Sequence, residues 1–498
     1  MDFVFRVRVF GPVLSHKSCL PFSFSSIFTT TSHPLPWILP QATNFHLSAL
    51  NTVRSKHAIV MNPEPYHDPP PQGKTDVEHL DSSHGHSSIH PPLQHMVDEK
   101  HLDYSHDPSW QQSNFLVHCD KPFNAEPFLP TLVNAEITPT EFFFKRNHGP
   151  IPNLSLDHHQ VYVGIQLNDV QHEHDSSAPG IAWKALSMHD IMTKWPKVTV
   201  SATLQCAGNR RDGLAAVKEV DGVIWKSGAV STAVWSGPRL CDILKDIADI
   251  PKEEYHRVLR DFHVSFEADG HVHEDICYGS SIPFRKAMDP LGDVILAYEM
   301  NGEPLTREHG FPLRAIVPGF IGARSVKFLQ RIIIQPRESN SFFQKRDYKI
   351  LDPTIDHHNA EQAWDLAASL GEMNVQCVIC SPTDQEAISL SEPVTIRGYA
   401  ISGGGRGIYR VEVSADGGQT WEPADKMEQT PDEYSGMFWT WALWEKTVPM
   451  IAGSTEIIAR AYDSSGNTQP EHTIWNYRGV MNNAWSRASV TQDPANHM

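Results

Sequence analysis

Thr203-Leu204-Gln205-Cys206-Ala207-Gly208-Asn209-Arg210-Arg211 is the stretch on which the reading of this chain turns. A β-strand runs up to the cysteine, Ala207 and Gly208 are small enough for a tight backbone turn, and two arginines follow at once. Adjacent positive charge favours a thiolate over a thiol, and so a nucleophile or a metal ligand. A soft thiolate suits a soft or redox-active metal, and guanidinium forks beside it suit a small oxyanion. By spacing alone, the same string also describes a buried structural cysteine beside a surface basic pair. At this level the two readings are evenly matched.

Outward from that string, the sequence is globular from about residue 130. The short apolar runs Val161-Tyr162-Val163-Gly164-Ile165, Val198-Thr199-Val200, Val294-Ile295-Leu296-Ala297 and Ile332-Ile333-Ile334 alternate with turns, and Leu240–Ile247 reads as a helix between them. No regular βαβ rhythm appears, which predicts an α+β domain. After about residue 375 the pattern becomes all-β. Tyr409, Val411 and Val413 alternate with Arg410, Glu412 and Ser414, and Asp416-Gly417-Gly418 turns the chain before Trp421. Val394-Thr395-Ile396 and Ile457-Ile458-Ala459 add strands. Roughly a hundred residues of short strands and frequent turns predict an immunoglobulin-like sandwich.

The amino-terminal quarter has a different character. The first 63 residues hold one acid, Asp2, against Arg6, Arg8, Lys17, Arg54 and Lys56, and are rich in serine, threonine and phenylalanine. Three readings of residues 1–60 stand together: an organelle transit peptide, a disordered tail, or a misassigned start with Met61 as the true initiator. Residues 61–125, with Pro69-Pro70-Pro71 and nine histidines scattered from His67 to His118, read as a His/Pro/Ser-rich linker rather than a metal-binding tract. The predicted organisation is therefore 1–60, linker 61–125, α+β domain 126–372 and β-sandwich 373–490.

Composition sets further bounds. The 498 residues suffice for two or three domains with their own cores. Lysine plus arginine is 41 against 59 acids, a formal net charge of −18, which argues against nucleic acid as a partner. No apolar run is long enough to span a membrane. An anionic substrate would have to be held by a local cluster of arginines against that overall field. Seven cysteines, an odd number, argue against a disulfide scaffold and for an intracellular setting. Cys377-Val378-Ile379-Cys380 reads as a strand, and Gly403-Gly404-Gly405, lacking a following Lys-Ser or Lys-Thr, reads as a turn and not a phosphate loop.

The Cys206 string does not stand alone. In order along the chain come Phe143-Phe144-Lys145-Arg146-Asn147-His148, the Cys206 string itself, Lys218-Glu219-Val220-Asp221-Gly222 leading to Trp225, and Gly228-Ala229-Val230-Ser231-Thr232. Then follow Tyr278-Gly279-Ser280-Ser281-Ile282-Pro283, Ala297-Tyr298-Glu299-Met300-Asn301-Gly302, His309-Gly310-Phe311-Pro312-Leu313-Arg314 and Val317-Pro318-Gly319. Arg346-Asp347-Tyr348-Lys349, Ser402-Gly403-Gly404-Gly405-Arg406 and Trp475-Asn476-Tyr477-Arg478-Gly479-Val480 complete the series. In this order they resemble the sulfite oxidase family of molybdopterin oxidoreductases, over about residues 130–490.

That resemblance implies a Mo-molybdopterin cofactor, with Cys206 as the thiolate ligand to molybdenum. It implies a substrate pocket of Arg146, Arg211, Trp225, Tyr348 and Arg478, in which three guanidiniums hold sulfite despite the net negative charge. It places Phe144, Lys145, Arg146, Asn147, His148, Asp269, His309, Arg314, Ser325, Val326 and Lys327 around the pterin dithiolene and its phosphate. It further implies two-electron oxidation of sulfite to sulfate and a homodimer formed through the sandwich. The haem motif His-Pro-Gly-Gly of animal-type members does not occur in this sequence. The chain thus resembles the haem-free plant type, with no haem, molecular oxygen as acceptor and hydrogen peroxide as product; an external cytochrome is the alternative acceptor. Rival readings are a nitrate-reductase-like enzyme, which the Arg346–Lys349 string opposes, and a non-catalytic scaffold, which would have dispensed with Cys206, Tyr348 or a pocket arginine. For compartment, the amino-terminal composition points to mitochondria, and the terminal Asn496-His497-Met498, a partial match to a Ser-Lys-Leu tail, to peroxisomes.

Overall fold

Two antiparallel strands, Lys197–Gln205 and Val230–Pro238, pair along their whole length and carry the Cys206 string at one end. They belong to a computed structural model of the protein that describes residues 102–110, 112–166, 181–247, 259–389, 392–449 and 455–493. The readings of residues 1–60, and of the linker as far as residue 101, lie outside the described residues.

The pair is extended by Glu299–Met300 and Glu303–Pro304 into a four-stranded sheet. A second, five-stranded sheet runs in the order Ala182–Ser187, Gln160–Ile165, Leu329–Gln335, His263–Ala268, Gly279–Pro283. Its central strand, Leu329–Gln335, is buried at six of seven positions. That is why Ile332-Ile333-Ile334 reads as a continuous apolar run instead of an alternation: both faces of the strand are covered. Helix Leu240–Ile247 buries Leu240, Ile243 and Leu244, whose helical spacing puts them on one face, against the same core as Ile332 and Ile334.

The carboxy-terminal part is a sandwich of two sheets. Gln376–Ser381, Val394–Ile401, Ala442–Val448 and Lys426–Glu428 form one sheet. Glu386–Ser389, Ser486–Asp493, Glu456–Asp463, Ile408–Ser414 and Glu422–Pro423 form the other. Ile379, Ile396 and Trp444 from the first interdigitate with Val411, Val413, Ile457 and Ala459 from the second. The expected alternation of Tyr409 with Val411 and Val413 fails at one end. A β-bulge between Ile408 and Arg410 shifts the register, so Ile408 is buried and Tyr409 is 53% exposed. Cys377 and Cys380 lie on one strand but enter different cores, and both are free thiols pushed up by burial.

The linker expected over residues 61–125 is folded in its last part. Phe115–Asp120 and Phe123–Pro127 form a hairpin, and Trp110 stacks on Phe123 with ring centroids 4.0 Å apart. The histidine and proline content obscured a short apolar alternation that is buried on this face.

The α+β part and the sandwich share a core containing Ala207, Val230, Ile321, Phe343 and Tyr348 on one side and Val378, Tyr399, Trp441 and Val480 on the other. Hydrogen bonds join them at the critical strand: Thr203 N donates to Trp439 O at 3.0 Å and Trp441 N donates to Thr203 Oγ1 at 2.9 Å.

Candidate active site

Cys206 sits one residue beyond its strand, 7% exposed, with its N–H given to Ala229 O at 2.9 Å. Asn209 closes the turn: its N–H donates to Cys206 O, its Oδ1 accepts from Ala229 N, and its Nδ2 donates to Tyr399 Oη, at 2.9–3.0 Å. The two following arginines part company. Arg210 takes a left-handed backbone (φ 65°), and its guanidinium runs into the sandwich, donating to Gln376 Oε1 and to the carbonyls of Ala484 and Trp485. Only Arg211 stays beside the cysteine. Its Nε donates to Gly479 O at 2.9 Å and to Arg478 O at 3.2 Å, and its Nη1 donates to Val223 O at 2.5 Å. A Cβ on Gly208 would lie 2.6 Å from Cζ of Arg211, one on Gly222 2.9 Å from its Nη1, and one on Gly479 2.7 Å from its Cγ. Three glycines from three segments therefore make the slot through which this side chain passes.

A cleft of about 890 Å³, counted to its open mouth, runs from Cys206 past Arg146, His148 and Tyr348 to Arg314 and Lys327. Of the residues expected around a pterin, Phe144, Arg146, Asn147, His148, Cys206, Asp269, His309, Arg314, Ser325, Val326 and Lys327 all line it. Lys145 does not. Its ammonium is buried behind His309, donating to that ring's Nε2 at 2.8 Å and pairing with Glu308 at 3.4 Å. Of the expected substrate pocket, Arg146 and Tyr348 line the cleft, whereas Trp225, Arg211 and Arg478 stand behind its wall. Trp225 is fully buried in the same apolar cluster as Cys206, with His118 edge-on at 5.0 Å.

Tyr348 follows a short π-helical turn, Phe343–Asp347. Its Oη lies 3.1 Å from His148 Nε2. Burial pushes the Tyr348 hydroxyl up to about 12, with Arg146 opposing and Cys206 and Asp347 adding to the rise, so it is a proton-bearing donor at neutral pH. His148 is held well below the usual imidazole range by burial and by Arg146, Lys327 and Arg478, and is neutral there. Arg478 is paired with two carboxylates, Asp347 at 2.5 Å and Asp221. Among the described residues, the hydrogen bonds of Arg146 go to neutral oxygens, Asn124 Oδ1 and Asn147 O.

Asn124 and Glu126 are constituents of the site that no quoted string contains, and Asp347 and Tyr278 lie within quoted strings but were given no role. Glu126 accepts from the N–H groups of Lys226 and Gly228 and from His118 Nε2, which fixes the Trp225 loop. Nothing in the local sequence of Asn124 and Glu126 marks them; they arrive through the amino-terminal hairpin, while Asp347 ends the π-turn and Tyr278 precedes strand Gly279–Pro283.

The inner end of the cleft is unbalanced in charge. Arg314 is 5% exposed, forms no ion pair among the described residues, gives two N–H groups to the carbonyls of His309 and Ser325, and leaves Nε without a partner. Lys327 is held well below its usual range by burial and by Arg314, Arg146 and Lys145. A buried group of cations facing one another calls for an anion. A phosphate-bearing pterin supplies one, and a free cysteine at the other end supplies a soft ligand for its metal. The residues present therefore fit a molybdenum–pterin group.

Residues 148–343 match the oxidoreductase molybdopterin binding domain, and residues 367–493 match the Mo-co oxidoreductase dimerisation domain. Sulfite oxidase of Arabidopsis thaliana is 42% identical over 380 residues, which cover 74% of this chain and 92% of the plant protein. The chain belongs to the sulfite oxidase family. Mitochondrial sulfite oxidase of Homo sapiens is 44% identical over 385 residues, covering 76% of this chain and 66% of the human protein, so the chain spans just under two thirds of that relative. A family likeness extends to the nitrate reductase of Hordeum vulgare, at 38% identity over 74% of this chain and 41% of the barley protein. Among solved structures, the sulfane dehydrogenase SoxCD of Paracoccus pantotrophus shares the fold with a TM-score of 0.57 at 23% identity, covering 79% of this chain and 91% of that one.

Proposed function

We propose that the protein oxidises sulfite to sulfate at a molybdenum–pterin centre held in the cleft, with Cys206 as the protein's ligand to the metal. The observation that carries the reading is a cleft lined together by Cys206, Arg146 and Tyr348, with Arg211 threaded past Gly208 and Gly222 behind its wall and bonded through Nε to Arg478 O. Three guanidiniums around one thiol suit a small dianion. The similarity to sulfite oxidases from plant and animal supports the choice of anion.

Sulfite gains one oxygen atom, ultimately from water, and gives up two electrons, with release of two protons. The cofactor, when bound, supplies the redox capacity for that transfer. The chain's own residues orient and neutralise the anion: Arg146 from the cleft wall, Arg211 through its glycine slot, and Arg478 behind. Tyr348 Oη presents a hydroxyl proton towards the substrate oxygens, and neutral His148 shares that hydrogen bond. Phe144, Asn147, Asp269, His309, Arg314, Ser325, Val326 and Lys327 bind the pterin and its phosphate, and Lys145 acts through His309. Molecular oxygen is the proposed acceptor, giving hydrogen peroxide, and the sandwich is the proposed homodimer contact.

The test is sulfite-dependent oxygen uptake by purified protein of known molybdenum content, beside ferricyanide and nitrate reduction. Uptake with peroxide formation is the expected result. Ferricyanide reduction without uptake keeps sulfite and replaces oxygen with an external carrier. Nitrate reduction with no response to sulfite overturns the reading.

A further inference from the structure

Among the described residues the hydrogen bonds of Arg146 and Arg211 go to neutral oxygens, whereas Arg478 is bonded directly to two acids. A third acid, Glu274, is pushed up to about 7 by burial and Asp347, and is in electrostatic reach of Arg146 and Arg478. Asp347 approaches Arg478 from inside, on the π-turn before Tyr348, and is 7% exposed. Asp221 approaches from the solvent side, its side chain 51% exposed, and holds the other guanidinium nitrogen. Its place is fixed by its own backbone, since Asp221 N donates to Tyr477 O at 3.0 Å. The loop that carries it is pinned nearby: Lys218 pairs with Asp356 at 2.8 Å and lies 4.6 Å over the Trp475 ring. Arg478 Nε has no hydrogen-bond partner among the described residues.

The two acids bonded directly to Arg478 offset part of the trio's positive charge, in a site whose product carries the same charge as its substrate. A pocket with all three guanidiniums free would retain sulfate as firmly as it captures sulfite, and uniform binding of that kind brings no gain in turnover. Asp347, buried and next to Tyr348, is part of the fixed frame. Asp221 is at the solvent edge and can be hydrated, so its grip on Arg478 is the one that competes with an oxyanion.

We infer that Asp221 is an affinity-limiting residue: by occupying Arg478 from its solvent-exposed side it keeps oxyanion binding weak enough for product to leave. The inference deepens the sulfite reading and rests on it for the substrate. It acts through Arg478, so Asp221 is a positioning residue and not a catalytic one.

Holoenzyme carrying Asp221→Asn, which keeps the side chain's size and removes its charge, is compared with wild type and with Asp221→Glu as the charge-restoring control. Sulfate binding is measured by calorimetry, independently of turnover, and the sulfite KM and sulfate inhibition constant are measured in the ferricyanide assay. Losing one partly exposed ion pair that opposes binding is expected to tighten sulfate about three- to fivefold. The KM and inhibition constant should fall together by a similar factor, kcat should not rise, and Asp221→Glu should return all three towards wild type. A purely structural role gives the opposite sign, because a loosened Arg478 weakens binding: a raised or unchanged KM and sulfate Kd overturn the inference while leaving sulfite oxidation standing. Should wild type fail to oxidise sulfite, tighter sulfate in Asp221→Asn would still support the residue's role, and the substrate reading alone would fall.

Discussion

Gly208→Ala should cripple oxyanion binding without touching a charge. The glycine's backbone is not left-handed, so alanine brings no conformational strain of its own. Its methyl group, however, would lie 2.6 Å from Cζ and Nη2 of Arg211 and 2.7 Å from Nη1. The guanidinium cannot slip sideways, since Gly222 and Gly479 already bring backbone against it on two other sides. It must surrender at least one of its bonds to Val223 O, Arg478 O or Gly479 O. Hydrogen bonds from a charged donor are each about 1.5–3 kcal/mol. Displacement from a substrate oxygen should cost a comparable amount, about ten- to a hundredfold in sulfite KM at 1.4 kcal/mol per decade. The melting temperature should drop by about 2–4 °C for each kcal/mol lost from the fold. The assay is steady-state sulfite oxidation on samples matched for molybdenum, with Arg211→Gln and the double variant completing a cycle. If Gly208 acts through Arg211, the double variant is no worse than Arg211→Gln alone. An unchanged KM in Gly208→Ala, or additive losses in the double variant, would refute the slot argument.

Cys206→Ser should keep the fold, since the side chain is small and already buried, but abolish sulfite oxidation because an alkoxide is a poor substitute for a soft thiolate; retained turnover at normal molybdenum content would sink the ligand assignment. Lys327→Met removes one of several mutually repelling buried cations. The cofactor-free melting temperature should change little, because the relieved repulsion is offset by the lost bonds to Arg146 O, Asn147 Oδ1 and Glu308 O. Pterin and molybdenum retention should weaken by about tenfold or more, the loss of one charge-assisted bond; undiminished cofactor content would count against the anion-site reading. His309 is 2% exposed and kept well below its usual range by burial and by Lys145. The unfolded ring takes a proton near 6.5 while the folded one stays neutral, so the stability it contributes is present above 6.5 and is lost as pH falls, by roughly 1.4 kcal/mol per unit. Melting curves of cofactor-free wild type and His309→Gln between pH 7.5 and 5.5 check this, and parallel slopes would show the ring is not the cause.

The fold class was legible because periodicity is local. The i, i+3, i+4 spacing of Leu240, Ile243 and Leu244 marks a helix by itself, and the unbroken Ile332-Ile333-Ile334 marks a strand covered on both faces. The chemistry of Cys206 was half legible: a thiol at a strand end beside two arginines narrows the possibilities, and ordered motifs elsewhere in the chain narrowed them to a family. Three features were out of reach. Tyr409 turned outward because a bulge, invisible in the alternation, shifts register by one residue. The hairpin Phe115–Asp120 and Phe123–Pro127 lay inside a segment whose composition read as linker. Asn124, which touches Arg146, came with it.

What the sequence determined by itself is the inventory and the local conformations: a thiol at the end of a strand, arginines in quantity, an α+β part and a sandwich. Only the tertiary structure decided which of those charges face one another. Arg210 and Arg211 are neighbours in the chain, yet a single left-handed residue sends one into the sandwich and leaves the other beside the thiol. Arg478 finds Asp221 and Asp347 across 257 and 131 residues. Side-chain identity fixes what a group can do, but its effective charge depends on burial and on neighbours. Those are set by packing between segments that share no local pattern.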